Sequence, residues 1–486
     1  MQSATFAQVS NGLPTDVAVP STVHELHRTF GPLMLTLTGV GMVIGAGIFV
    51  ITGQAAALYA GPAIVYSFVI AGIVCGFSAL CYAEMAAMIP RAGSAYSYAR
   101  TAFGPGAGWV IGWAIIAEYL FAVGAIGIGW SAYMQGVIAD FGIHLPSLWS
   151  KSPLVLTAQG FHETGTLVNS PAVVIVGLTM LVNLLGTRGS SRFNSAMVAI
   201  KLSAVALFIL FGLMHANPAN WVPFLPERAA GPTGELTYGG AGVLKAAGVI
   251  FFAYLGFDAL ATAAQESRNP QRTLPIAILA TLAVTTVLYI AVALTMTGLT
   301  NYRLLNSEAP LTTALAAAGP SLAWLKTYLG IAVMTGLWAS LWPALFGLSR
   351  LFMSLSHDGL LPRGLGEIVP GRRIPQGSVL LAGGLGMLVA GFLPISFIGE
   401  LISTGTLMAF ATVCAALIRL RVTMPAHKRP FRVPLWQVIA PLGITASLLL
   451  LGSMGWAAIG RIVAWQVVGA VVLFISLRAR RGLTPR

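Results

Sequence analysis

The sequence predicts an all-α integral membrane fold of about twelve transmembrane helices. Three observations predict it: charge is scarce, long apolar runs recur, and basic residues cluster between alternate runs. Only 8% of the 486 residues are charged and 57% are hydrophobic, where a soluble domain carries roughly a quarter charged residues. Mean hydropathy is +0.83, so most of the surface must face lipid. A net charge of +13 would suit nucleic acid if it were gathered on one face or tail. It is dispersed in short clusters instead, which excludes that partner.

A helix needs about 20 apolar residues to cross the hydrocarbon core. Twelve runs qualify, at 33–53, 62–84, 106–138, 171–186, 192–215, 240–265, 274–298, 321–355, 377–394, 397–419, 434–452 and 456–477. The runs at 106–138 and 321–355 exceed one span and are expected to tilt or to continue into water. With the N-terminus inside, cytoplasmic segments hold 20 of the 27 basic residues, including Arg363, Arg372, Arg419, Arg421, Arg429 and Arg478. The opposite segments hold Lys151, Arg228, Arg303, Lys326 and Arg461, and Lys201 and Lys245 stay at membrane depth. This asymmetry places both termini in the cytoplasm of a multi-pass protein of the cell (inner) membrane.

Residues 1–30 are polar and lack a short apolar core, so no cleavable signal is expected. They read as a disordered cytoplasmic tail, 31–477 as one transmembrane domain, and 478–486 as a basic cytoplasmic tail. Cys75, Cys81 and Cys414 fall inside apolar runs with no disulfide or zinc spacing. They read as small buried residues, and no metal or cofactor is expected.

Two spans look broken. The first reads GVGMVIGAGIFVITG and crowds Gly39, Gly41, Gly45, Gly47 and Gly53 into one helix. Gly41 and Gly45 form a G-x-x-x-G pair, which close helix packing would also explain. The sixth reads FFAYLGFDALATAAQES, with Gly256 and Asp258 in mid-span. An acid at that depth normally faces a cavity or a partner. The two spans correspond if helices 1–5 and 6–10 are repeats, and paired interruptions in matching halves mark a transport site. Unwinding exposes N–H groups that suit a carboxylate and carbonyls that suit an ammonium. The donors are placed at Gly45, Ala46 and Gly47, and the carbonyls at Val43, Ile44, Phe252, Ala253 and Leu255. Phe252 supplies a ring able to cover the site. Together these match the zwitterionic backbone of an amino acid.

At these residues the chain resembles the amino acid–polyamine–organocation (APC) superfamily, and within it bacterial members of the cationic amino acid transporter family. The resemblance rests on IGAGIFVITG at 44–53, YAEMAAMIPRAGSAYSYA at 82–99, FFAYLGFDALATAAQESRNPQRTLP at 251–275 and RLFMSLSHDGLLP at 350–362. It runs from about residue 26 to 477. It implies a five-plus-five inverted repeat with discontinuous helices 1 and 6, plus two extra helices. It also implies secondary active amino acid uptake by alternating access, with the proton as coupling ion. On that resemblance Lys201 becomes the proton-coupling group, since a buried lysine can titrate in the physiological range. The alternative is a structural lysine capping carbonyls of the first break. Glu118 would hold a basic side chain or bond neighbouring helices. Ala344 would widen the side-chain pocket, and Asp258 and Glu266 would be gating or structural acids.

The sequence departs from the family pattern at Gln265, where a glutamate is usual, at His357, where an arginine is common, and at Lys245, where relatives are uncharged. Lys245 either lines the access path and repels cations or snorkels to the surface. Cationic and neutral amino acids both remain open, as do proton symport, exchange, amine or polyamine transport, and a non-transporting substrate sensor. A small partner helix leaves no signature in the sequence. Enzymatic activity is excluded by scattered histidines with no catalytic spacing, and ATP drive by the lack of a P-loop.

Overall fold

In the computed structural model, which describes residues 31–89, 94–157, 160–185, 191–230, 236–256, 270–369 and 374–481, the first helix starts at Gly31–Pro32. Proline at the first helical turn needs no amide donor and presets φ. Helix α1 (Pro32–Val43) stops when Ile44 turns extended, at φ −70° and ψ 104°. The chain resumes as a π-helical turn, Gly47–Ile51, a single turn α2 (Thr52–Ala55) and a second π turn, Ala56–Ala60. The first predicted break is therefore present at 44–46. The sixth span breaks as well. Helix α8 (Gly239–Ile250) tightens into a 3₁₀ turn, Phe251–Tyr254, before Leu255 goes extended. Gly256 then takes φ +118°, a conformation open mainly to glycine.

Around these breaks stand α3 (Ile64–Met88), α5 (Pro105–Asp140), α7 (Ser191–Met214), α9 (Pro270–Leu299), α11 (Ala323–His357) and α13 (Ile395–Thr423). The short α4 (Ser94–Phe103) and α10 (Pro310–Ala317) lie at opposite ends. Helices α6 (Ser170–Leu185), α12 (Gln376–Phe392), α14 (Trp436–Ser453) and α15 (Trp456–Arg481) complete the set. α1 packs on α9, α3 on α8 and α9, and α5 on both α11 and α13. At 36 residues, α5 is about 54 Å long and outruns the bilayer, as its long apolar run predicts. The lipid face is apolar: Val287, Leu449, Phe474 and Ile475 are all exposed.

Eight helical stretches among the described residues are long and apolar enough to cross a membrane. Pro32–Val43, Ser170–Leu185, Gly239–Tyr254 and Gln376–Phe392 are apolar but shorter. The expectation of about twelve full spans is narrowed accordingly. Two of the short helices are the leading halves of the broken ones. The other two, of 16 and 17 residues, reach about 25 Å against a core of about 30 Å. The predicted runs 33–53 and 62–84 also divide differently, because one helical stretch continues from Gly47 to Met88. The body is helical throughout. Two small hairpins, β1 (Leu154–Thr157) with β2 (Gly160–Glu163) and β3 (Ala229–Ala230) with β4 (Leu236–Thr237), occupy connections.

At the end of the bundle away from β1–β2, Glu84 of α3 is 1% exposed. Its carboxylate takes Arg421 at 2.6 Å, Arg429 at 3.3 Å and the Val433 N–H at 2.6 Å. It thereby pins the α13–α14 connection to α3. Removing one partner of a buried ion pair strands the others, at a cost of about 3–5 kcal/mol. Glu84→Ala is expected to lower the melting temperature in detergent by several degrees, and an unchanged melt would show that this cluster holds nothing.

Candidate functional site

Each break has its loose backbone groups met by a side chain from a neighbouring helix. Lys201 of α7 is 1% exposed, and its Nζ donates to Gly41 O at 2.5 Å and to Ile44 O at 2.7 Å. Two helix features make room for it. Gly41 meets Val198 of α7, which a Cβ would approach to 2.8 Å, and Gly336 of α11 meets the Lys201 stem, which a Cβ would approach to 3.0 Å. No described carboxylate forms a salt bridge with Lys201.

The two breaks touch. A Cβ on Gly47 would stand 2.3 Å from Ala253 Cα, so the backbones pack with nothing between them. Tyr289 of α9 ties them, its hydroxyl lying 3.0 Å from Val43 O and 2.8 Å from Ala253 O. Ser403 of α13 accepts from the Phe252 N–H at 3.4 Å and donates to Val249 O at 2.7 Å. Tyr133 of α5 donates to Phe49 O at 2.7 Å. Thus, of the carbonyls placed as acceptors from sequence, Ile44 O already receives a bond from Lys201, and Val43 O and Ala253 O share the single Tyr289 hydroxyl proton. Phe252 O likewise takes the Leu255 N–H at 3.0 Å, so an incoming ammonium must use the second lone pairs of these carbonyls or the Leu255 carbonyl.

The donor side is more open. Gly45, Ala46 and Gly47 begin the resumed helix, whose first N–H groups have no acceptor within it. At Gly45 a Cβ would meet only Ser340 of α11, at 3.4 Å from Oγ. Ala344 lies four residues beyond Ser340 on α11, hence on the same face. Glu118 is buried in α5, where Gly405 of α13 packs on the α5 backbone at Ala114. His357 holds the following loop through its Nε2 contact with Gly366 O at 2.9 Å. Asp258, Gln265 and Glu266 lie outside the described residues. Cys75, Cys81 and Cys414 are buried thiols, and the described residues contain no metal-binding cluster.

Sequence reasoning missed Tyr289, Ser403 and Tyr133. Each is a hydroxyl in an apolar span, where a buried polar group needs a partner. That signal is real, but it does not name the partner.

A cavity of about 950 Å³ opens at the β1–β2 end of the bundle. Its wall includes Tyr59, Lys151, Lys245, Glu308, Glu400 and Arg461. Arg461 is ion-paired with Glu400, Tyr59 Oη lies 3.5 Å from Glu400, and Lys245 Nζ sits 4.9 Å from the Tyr59 ring centroid. Glu308 is half-buried in the connection between α9 and α10. Burial pushes its carboxyl from 4.5 up to about 7, with Lys151 pulling it the other way. The raised value means the fold favours the protonated acid. Its stabilising effect is full below pH 4.5 and is lost as pH rises through 7. Wild-type melting temperature is expected to fall across pH 4.5–7, and Glu308→Gln to flatten that window. A parallel fall in the variant would remove Glu308 as the cause.

Comparison with known proteins matches residues 30–481 to the family described as amino acid permease. The chain is 37% identical to the methylthioribose transporter of Bacillus subtilis over 93% of this chain and 94% of that one. It is 36% identical to the branched-chain amino acid permease BcaP of the same organism, over 95% and 96%. It is 33% identical to a vacuolar cationic amino acid transporter of Arabidopsis thaliana, over 83% of this chain and 64% of that one.

Proposed function

The chain belongs to the amino acid permease family, and on that footing we propose that it performs proton-coupled amino acid uptake by alternating access. Membership makes it a secondary active amino acid transporter in a membrane and not an enzyme. The finer reading rests chiefly on one observation: the Lys201 ammonium is seated in the first break on Gly41 O and Ile44 O. A group that holds a moving helix more tightly when it carries its proton links protonation to conformation.

In this reading the substrate carboxylate meets the N–H groups of Gly45–Gly47, and the ammonium meets the Phe252 and Leu255 carbonyls. Ala344 faces the side chain, and Glu118 bounds the pocket. Twelve membrane-embedded segments form two five-helix halves and two further helices, with the broken first and sixth in matching positions. Both termini lie in the cytoplasm, which puts the β1–β2 cavity outside. Residues 1–30 and 478–486 are tails, and Asp258 and Glu266 act on the inner side of the sixth helix.

The test is uptake into proteoliposomes of a labelled amino acid panel with and without an inward proton gradient. Stimulation by the gradient is the expected result. Uptake that ignores the gradient and requires amino acid inside the vesicle would make the protein an exchanger. The methylthioribose transporter among the relatives favours a second reading, in which an uncharged thiosugar is carried, so the panel includes that compound.

A further inference from the structure

The cavity at the β1–β2 end is unevenly charged. Its wall carries the cations Lys151, Lys245, Lys326 and Arg461 against the acids Glu308 and Glu400. Arg461 is paired with Glu400, and Lys326 with Asp140 at 2.5 Å. With Asp140 counted and every acid ionised, four cations face three anions, so positive charge is in excess. Among these cations Lys245 is the nearest in sequence to the sixth-span break. It lies on α8, seven residues before Phe252, which is about 10 Å along the helix. It is 7% exposed and held over the Tyr59 ring. Its helix cannot draw back, because Gly242 rests on Tyr59 O, which a Cβ would approach to 2.2 Å. Tyr238 N also bonds that same carbonyl at 2.8 Å. The ammonium is therefore held in the cavity wall, on the helix that leads to the sixth-span break.

We propose that Lys245 and the positive wall of this cavity act as a charge filter, admitting zwitterions with neutral side chains and turning away cationic amino acids. The inference rests on the transport reading and specifies its substrate class. An amino acid with a neutral side chain has no net charge at neutral pH, and its carboxylate can lead past Lys245. Lysine or arginine brings one further positive charge into a cavity whose wall already carries excess positive charge, where fields are focused. One such charge pair is enough for a discrimination of about tenfold.

The test is inhibition of labelled leucine uptake in proteoliposomes by unlabelled methionine, lysine and arginine. In wild type, lysine and arginine are expected to inhibit weakly, and raised salt to narrow their gap from methionine. Lys245→Met is expected to strengthen inhibition by lysine and arginine about tenfold and to leave methionine within about twofold, whereas Lys245→Arg keeps the wild-type pattern. Lys151→Glu changes an exposed residue and provides a variant that does not depend on the packing of α8. It should move the ratio in the same direction. Wild-type leucine uptake with an unchanged ratio in both variants overturns the filter alone, as does arginine uptake equal to leucine in wild type. A wild type that moves no amino acid overturns the transport reading and the filter with it.

Discussion

Lys201→Ala is expected to abolish the gradient-driven part of uptake, cutting the initial rate under an inward proton gradient by about tenfold or more. Exchange of substrate across the membrane should persist. The reasoning starts from the two carbonyls of Gly41 and Ile44 that converge on Nζ. Bonds from an ammonium to a carbonyl are charge-assisted and stronger than neutral ones. A buried ammonium without such partners is costly. Its charged state is therefore tied to the position of the α1 break, and any movement of α1 that withdraws those carbonyls favours release of the proton. By the same linkage, a proton on Lys201 favours the arrangement seen here.

A structural lysine that simply caps α1 would also be damaged by alanine, so a second variant separates the two roles. Lys201→Gln keeps a hydrogen-bond donor for one carbonyl and loses the titratable proton. Coupling predicts that Gln behaves like Ala: exchange near normal, gradient stimulation gone. Capping predicts that Gln rescues the protein. Gradient-stimulated uptake in the glutamine variant at the wild-type level would remove Lys201 from the coupling path.

The helical membrane body and the two interruptions were readable because they have local causes. Apolar run length marks a span, and glycine crowding or a mid-span acid marks a break. The G-x-x-x-G pair illustrates where such reading stops. Gly41 turns out to serve close packing against Val198, whereas a Cβ on Gly45 would make only ordinary van der Waals contact with Ser340. Identical letters at helical spacing take different roles because the neighbouring helices, not the motif, decide what fills the space. The number of full-length spans was less legible for a related reason. Hydropathy measures how apolar a run is, but α1 and α8 stop at turns set by tertiary contacts with Tyr289 and Ser403. Those hydroxyls lie far away in sequence, so the residues that tie the breaks in place were the least visible part of the site.

The contact between the two breaks gives the other large effect. Gly47→Ala is expected to reduce uptake to below about a tenth of wild type and to destabilise the fold by about 1–3 kcal/mol, the usual range for overpacking. The added methyl would stand 2.3 Å from Ala253 Cα and 2.5 Å from its Cβ, and backbone cannot swing aside as a side chain can. Separating the breaks also strains the Tyr289 hydroxyl, which reaches Val43 O and Ala253 O together. Gly45→Ala is the matched control, because its methyl meets Ser340 Oγ at an ordinary 3.4 Å. Its melting temperature should stay near wild type. Its KM should still rise about tenfold, equivalent to about 1.4 kcal/mol, because the methyl occupies the space in front of the N–H groups. Kinetics and thermal melts on the two variants therefore divide the break into a part that holds helices together and a part that holds substrate. Equal KM values for Gly45→Ala and wild type would move the carboxylate away from Gly45–Gly47, and wild-type uptake by Gly47→Ala would mean that the breaks separate during transport.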